Sequence, residues 1–187
     1  MPDLQLPAKG DLLISEPFLA DPNFERSVIL ICEHNDEGTL GFVLNKPTNH
    51  TLGEVVQEAC DYPSLLHKGG PVQLDTLHFI HRTESLISGS NKIKENIFWG
   101  GDFEQLLSFI NTRQVSQNDL MFFLGYSGWS PGQLEDELKE NTWFVYKETD
   151  QYDVFEGKTD NLWRKVLKSM GGKFKAISNY PTDPRLN

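Results

Sequence analysis

A chain of 187 residues with 38% hydrophobic and 24% charged residues is long enough to close one core and too apolar to stay disordered. Its formal net charge of −10 opposes nonspecific attraction to DNA, RNA and anionic lipid, whose contacts depend on Lys and Arg neutralising phosphate. The basic residues between Lys147 and Lys175 are interrupted by Glu148, Asp150, Asp153, Glu156 and Asp160, so direct nucleic-acid binding is not expected.

In chain order, Gly10 to Ile14 reads as a short strand, followed by a loop whose Pro17 and Pro22 cannot sit in a central strand. Asp21-Pro22 has the form of a cap and a single helical turn. Ser27 to His34, SVILICEH, is too continuously apolar for a half-exposed strand and is predicted to lie mid-sheet, covered on both faces. Asn35 to Gly38 then turns the chain into Thr39 to Leu44 as an antiparallel hairpin.

Thr51 and Glu54 form a capping box that opens a short helix to about Cys60, with Leu52, Val55, Val56 and Ala59 on one face. Gly69-Gly70-Pro71 breaks the chain before a strand from Val72 to His81, and Asn91 to Trp99 reads as one further strand. Asp102 caps a helix whose apolar stripe is Phe103, Leu106, Leu107 and Ile110. Gln117 to Asp119 turns into an apolar strand that ends at Gly125. Gly125 to Trp129, GYSGW, reads as a glycine-rich turn. Ser130 then caps the following helix, with Pro131 first, Gln133 reaching back, and Trp129 and Leu134 forming a hydrophobic staple. Thr142 to Tyr146 is a strand. Thr159-Asp160 starts a last helix through about Met170 with Leu162, Trp163, Val166 and Leu167 inward, ended by Gly171-Gly172. From about residue 176 the tail is expected to be irregular. This order argues a single mixed α/β (α+β) domain over residues 1–187.

Several stretches together carry a resemblance: DPNFERSV from Asp21, ICEHN from Ile31 with Gly38 and Gly41, Asn45-Lys46-Pro47, GGPV from Gly69, and GYSGW from Gly125 with PGQLE from Pro131. In this order the chain resembles the bacterial YqgE/AlgH family over essentially its whole length. The resemblance implies a largely antiparallel, branched sheet curled into a partial barrel with helices packed outside. It implies a transcriptional-regulator label, drawn from a genetic association with alginate control, and no assigned chemistry.

The chemistry-bearing residues are weighed against structural roles. GYSGW approaches the G-x-S-x-G of a hydrolase nucleophile elbow, but its last position is Trp129, and the family pattern often has Ala where Ser127 stands. A hydrolase-like enzyme using this turn is the alternative reading; no catalytic residue is assigned. Ser127, Gly128 and Ser130 form a candidate anion site at the helix start. Cys32 and His34, two apart on a strand, are expected to share a face, with Cys32 buried and inert. His78 and His81 point to opposite strand faces, so with His67 and Asp75 they give no metal site, and no cofactor motif is present. Asn23, Glu25 and Arg26 either hold their loop on the sheet or, with Tyr126 and Trp129, form a recognition surface, since Arg, Tyr and Trp anchor interfaces.

The N-terminal MPDLQLPAKGD lacks the basic and apolar regions of a signal peptide, and no segment reaches the ~20 apolar residues of a membrane span. A cytoplasmic location with no membrane attachment is expected, with Cys32 and Cys60 as reduced thiols. The sequence points to a non-enzymatic binding or regulatory protein with a protein partner.

Overall fold

A computed structural model describes residues 6–59, 62–82, 87–147, 153–156 and 161–182. In chain order they form β1 (Leu12–Ser15), β2 (Val28–Asn35), β3 (Gly38–Val43), β4 (Pro47–Thr51), α1 (Leu52–Val55), β5 (Leu65–Lys68), β6 (Val72–His81), β7 (Asn91–Lys94), β8 (Ile97–Trp99), α2 (Phe103–Asn111), β9 (Leu120–Trp129), α3 (Gln133–Lys139), β10 (Trp143–Tyr146), α4 (Leu162–Met170) and α5 (Gly172–Ile177). The main path of the sheet is β10-β1-β2-β3-β9-β6-β8-β7. Its pairings are antiparallel except for β5 on β9.

The sheet branches at β9. On one side β9 pairs with β6; on the other, β5 pairs with residues 122–124 and β3 with residues 127–129. The branched, largely antiparallel arrangement implied by the family resemblance is therefore present, and the sheet is not closed into a barrel.

The continuous apolar run of β2 is covered on both faces, as its composition predicts. Val28, Leu30 and Cys32 pack with Trp163, Val166 and Leu167 of α4. Ile29 and Ile31 pack with Leu134 and Leu138 of α3. Beneath the other half of the sheet, Leu106, Leu107 and Ile110 of α2 meet Phe79, Leu120 and Phe122. Trp163, fully buried, donates its indole N–H to Ser15 O at 2.9 Å.

Several elements differ from the sequence reading. β9 continues through GYSGW to Trp129, so these residues are strand and not turn. The turn falls at Ser130 to Gln133, where Gln133 N–H donates to Ser130 O at 3.0 Å. Pro131 and Gly132, at φ 78 and ψ −13, give it the signature of a type II turn. Ser130 is therefore not the cap, and α3 starts at Gln133. Half of the expected box survives, since Ser130 N–H donates to Gln133 Oε1 at 3.0 Å; Trp129 and Leu134 do share one cluster.

Asn91 to Trp99 is a hairpin of β7 and β8, reversed at Asn96, whose φ is 60. β4 and β5 escape the hydrophobic pattern because one is polar and the other is four residues long. Helix α1 stops at Val55, with a 3₁₀ turn over Gln57–Ala59, while Cys60 lies outside the described residues. The Gly171-Gly172 pair ends α4 as expected, yet α5 follows at once and runs to Ile177. The expected starts at Thr159-Asp160 and the residues after 182 lie outside the described set. Among the described residues no helix is long and apolar enough to cross a membrane.

Gly125 sits at φ +66, and a Cβ there would lie 2.6 Å from Val72 O. Left-handed backbone and overpacking each cost a non-glycine residue about 1–3 kcal/mol. Gly125→Ala is therefore expected to lower unfolding free energy by roughly 2–4 kcal/mol in urea titration, without changing the denaturant slope.

Candidate recognition cleft

Side-chain alternation along β9 changes hand at Gly125. Met121 and Phe123 face the α4 side, while Leu120 and Phe122 face α2. Beyond Gly125 the parity is inverted, so Tyr126 joins the face of Met121 and Phe123, and Trp129 turns to the α3 side with Leu134. A second irregularity occurs opposite, in β2. Ile31 pairs with Gly41 but Glu33 with Leu40, leaving Cys32 as the extra residue of a β-bulge. The bulge brings Glu33 to the face of Leu40.

These two shifts build one cleft of about 470 Å³, lined by Glu33, Glu37, Leu40, Val72, Tyr126 and Gly128, with Trp129, Ser130 and Pro131 at its end. Tyr126, Leu40 and Val72 are half-buried; Glu33 and Glu37 are exposed at the rim. Tyr126 lies along the strand over Gly128, where a Cβ would come within 3.1 Å of its Cε2. His78 packs against Tyr126 at 5.9 Å and Phe42 at 5.2 Å between ring centroids. Its pKa is pushed down by burial. Gly70 has no room for a side chain, because a Cβ would lie 2.2 Å from the Tyr126 carbonyl carbon.

Of the candidate residues, Tyr126, Gly128, Trp129 and Ser130 come together at this cleft. Trp129 is itself buried, with Phe24 stacked at 6.3 Å and Trp143 edge-on at 5.8 Å. Glu137 Oε2 accepts both indole N–H groups, from Trp129 at 2.8 Å and from Trp143 at 2.7 Å. Ser127 is fully buried and donates its hydroxyl to Gly69 O at 3.0 Å. Two of the candidate anion donors are thus engaged within the chain, Ser127 with Gly69 and the Ser130 N–H with Gln133.

Arg26 is placed elsewhere. At φ 48, it lies 4.8 Å over the Trp163 ring. Its guanidinium donates to the carbonyls of Tyr180 and Pro181. Asn45 fixes its backbone by donating to Arg26 O and accepting from Val28 N–H. Lys68 donates to Asn23 Oδ1 at 2.7 Å and Lys46 to Glu25 O at 2.7 Å. In these contacts Asn23, Glu25 and Arg26 hold the loop and the C-terminal segment against the sheet.

Cys32 and His34 do not share a face, because the bulge at Cys32 lies between them. Cys32 is fully buried, its thiol pKa raised by desolvation, while His34 turns to the α3 side, where Nδ1 meets Thr39 Oγ1 at 2.7 Å and Nε2 lies 3.7 Å from Glu135. His81 is buried against Ser90 and the Gly100 carbonyl. Among the described residues no three His, Cys, Asp or Glu side chains converge on a common point. A second cleft of about 630 Å³, between Tyr62 and the end of α2 near Arg113, contains none of the candidate residues. The cleft liners Glu33, Glu37, Leu40 and Val72 were not singled out from sequence, since only the two register shifts bring them together.

The AlgH-like family model matches residues 12–175. The chain belongs to the AlgH-like family. A UPF0301 protein of Cytophaga hutchinsonii is 46% identical over 180 residues, covering 96% of this chain and 98% of that protein. One from Chlorobium limicola is 42% identical over 178 residues, 95% of each chain. The solution structure of the AlgH protein from Pseudomonas aeruginosa superposes with a TM-score of 0.72 at 25% identity, covering 92% of this chain and 94% of that one. A crystal structure of a Corynebacterium diphtheriae protein shares the fold with a TM-score of 0.72 at 23% identity, over 94% and 93% of the two chains. The AlgH-like fold thus persists where most residues differ.

Glu137→Ala would leave two buried indole donors unpaired, at about 1–3 kcal/mol each. Unfolding free energy is expected to fall by roughly 2–5 kcal/mol, read by urea titration of tryptophan fluorescence. The pH dependence follows from His78 and His81, both held below their ordinary value of 6.5 by burial. The unfolded chain then binds protons that the folded chain refuses, so stability falls as pH drops from about 7.5 to about 5.5. The urea midpoint is expected to decline over that window, and less steeply in His81→Gln.

Proposed function

We propose that this AlgH-like chain is a cytoplasmic binding protein that acts through contacts with another protein, and that the Tyr126 cleft is its contact surface. The observation that carries this reading is the composition of the cleft: a half-buried aromatic and aliphatic floor, Tyr126 with Leu40 and Val72, ringed by polar side chains. A desolvated aromatic centre with a polar rim is the anatomy of an energetic hot spot. The chemistry of the neighbourhood favours binding over turnover. The Ser127 hydroxyl donates to a carbonyl in the core, and the Cys32 thiol is buried on the face opposite His34. Thr39, which lines the cleft, meets His34 Nδ1 at 2.7 Å, but Thr39 is buried in the sheet. With a net charge of −10, a regulatory role would run through protein contacts in preference to DNA.

The test is a photo-crosslinking amino acid placed at Ser130, on the exposed rim, and separately at Lys168 on the exposed face of α4. A discrete protein adduct from position 130, absent from position 168 and suppressed by Tyr126→Ala in the same chain, is the expected result. The same background at both positions would refute the reading.

A further inference from the structure

On the reading of the cleft as a protein-contact surface, we infer that it receives an arginine side chain from an extended segment of the partner. Glu33 and Glu37 stand on the rim, and none of the described lining residues is a lysine or arginine. On the floor of the cleft the Tyr126 ring lies along the strand over Gly128. Together these offer an aromatic surface within reach of acceptors, the combination a guanidinium satisfies. It is planar, stacks on aromatic rings, is weakly hydrated, and presents a fork of N–H donors to carboxylate oxygens. A lysine ammonium, compact and strongly hydrated, gains less from a floor that is largely Leu40, Val72 and an aromatic ring.

The cleft is open to solvent, so a free guanidinium compound would leave much of its surface in water, whereas ligand pockets bury most of their occupant. A segment of protein carries its own cover on either side of the arginine. Leu74, 54% exposed and two residues beyond Val72 on β6, supplies apolar ground for a neighbouring side chain. The chain's net charge of −10 steers a cationic segment towards it.

The test titrates the isotopically labelled full chain with acetyl-Ala-Leu-Arg-Leu-Ala-amide, followed by amide chemical shifts. A peptide carrying citrulline in place of arginine keeps the shape and removes the charge. Shifts are expected to cluster on residues 33–40 and 126–130, with the citrulline peptide about tenfold weaker, as for loss of a charge-assisted hydrogen bond. Glu33→Gln with Glu37→Gln, both exposed positions, should weaken the arginine peptide to a similar degree while leaving tryptophan fluorescence unchanged. Free arginine should bind less tightly than the peptide. Equal binding of the arginine and citrulline peptides, or shifts outside the cleft, would overturn the inference. If position 130 still crosslinks a protein in that case, the contact reading survives without its arginine. Free arginine binding as tightly as the peptide, with no crosslink at position 130, would overturn both and leave a free guanidinium ligand.

Discussion

β9 must present Met121 and Phe123 to the α4 face and, a few residues on, Trp129 of the same odd parity to the α3 face opposite, which strict alternation forbids. Gly125 resolves this by adopting φ +66, after which every side chain is on the opposite face from where simple counting puts it. The same position is crowded by Val72 O and Gly70 O, so conformation and space both demand glycine. Gly70 reciprocates, letting the backbone of Tyr126 approach closer than any Cβ would allow. Much else follows from this bend. Trp129 reaches Phe24, Trp143 and Glu137, β3 and β5 share one side of β9, and Tyr126 is left over the cleft.

The cleft needs a second shift, in the neighbouring hairpin. The bulge at Cys32 puts Glu33 on the same face as Leu40 and Tyr126 and sends His34 to the other. One extra residue therefore separates a thiol from an imidazole that would otherwise lie side by side, and delivers a carboxylate to an aromatic floor. The arrangement suits recognition, where a desolvated centre and a charged rim divide affinity from specificity.

Much of the fold was legible because local rules and tertiary demands agree. β2 reads as covered on both faces and is. Glu54 reaches back to Thr51 N–H, and Asp102 accepts from Gln105 N–H. Leu162, Trp163, Val166 and Leu167 are all buried. The misreading of the cleft has one cause. GYSGW has the composition of a turn, but its glycines serve close strand packing and a reversal of face inside a strand. Neither event leaves a periodic signal, since periodicity is what it interrupts. Tyr126, Gly128 and Ser130 could be named from the motif, whereas Glu33, Leu40 and Val72 could not. Arg26 carries an interface residue's chemistry but is occupied with Trp163 and the C-terminal carbonyls. That contact spans more than 150 positions, beyond the reach of a local pattern.

The most direct test of the cleft as the working surface is carboxyl footprinting, comparing the purified chain with the same chain in fresh extract of its own cells. Glu33 and Glu37 should lose labelling in extract, while Glu104 on α2 and Glu140 after α3, both exposed, label equally in the two samples. Equal labelling of all four carboxylates would contradict it.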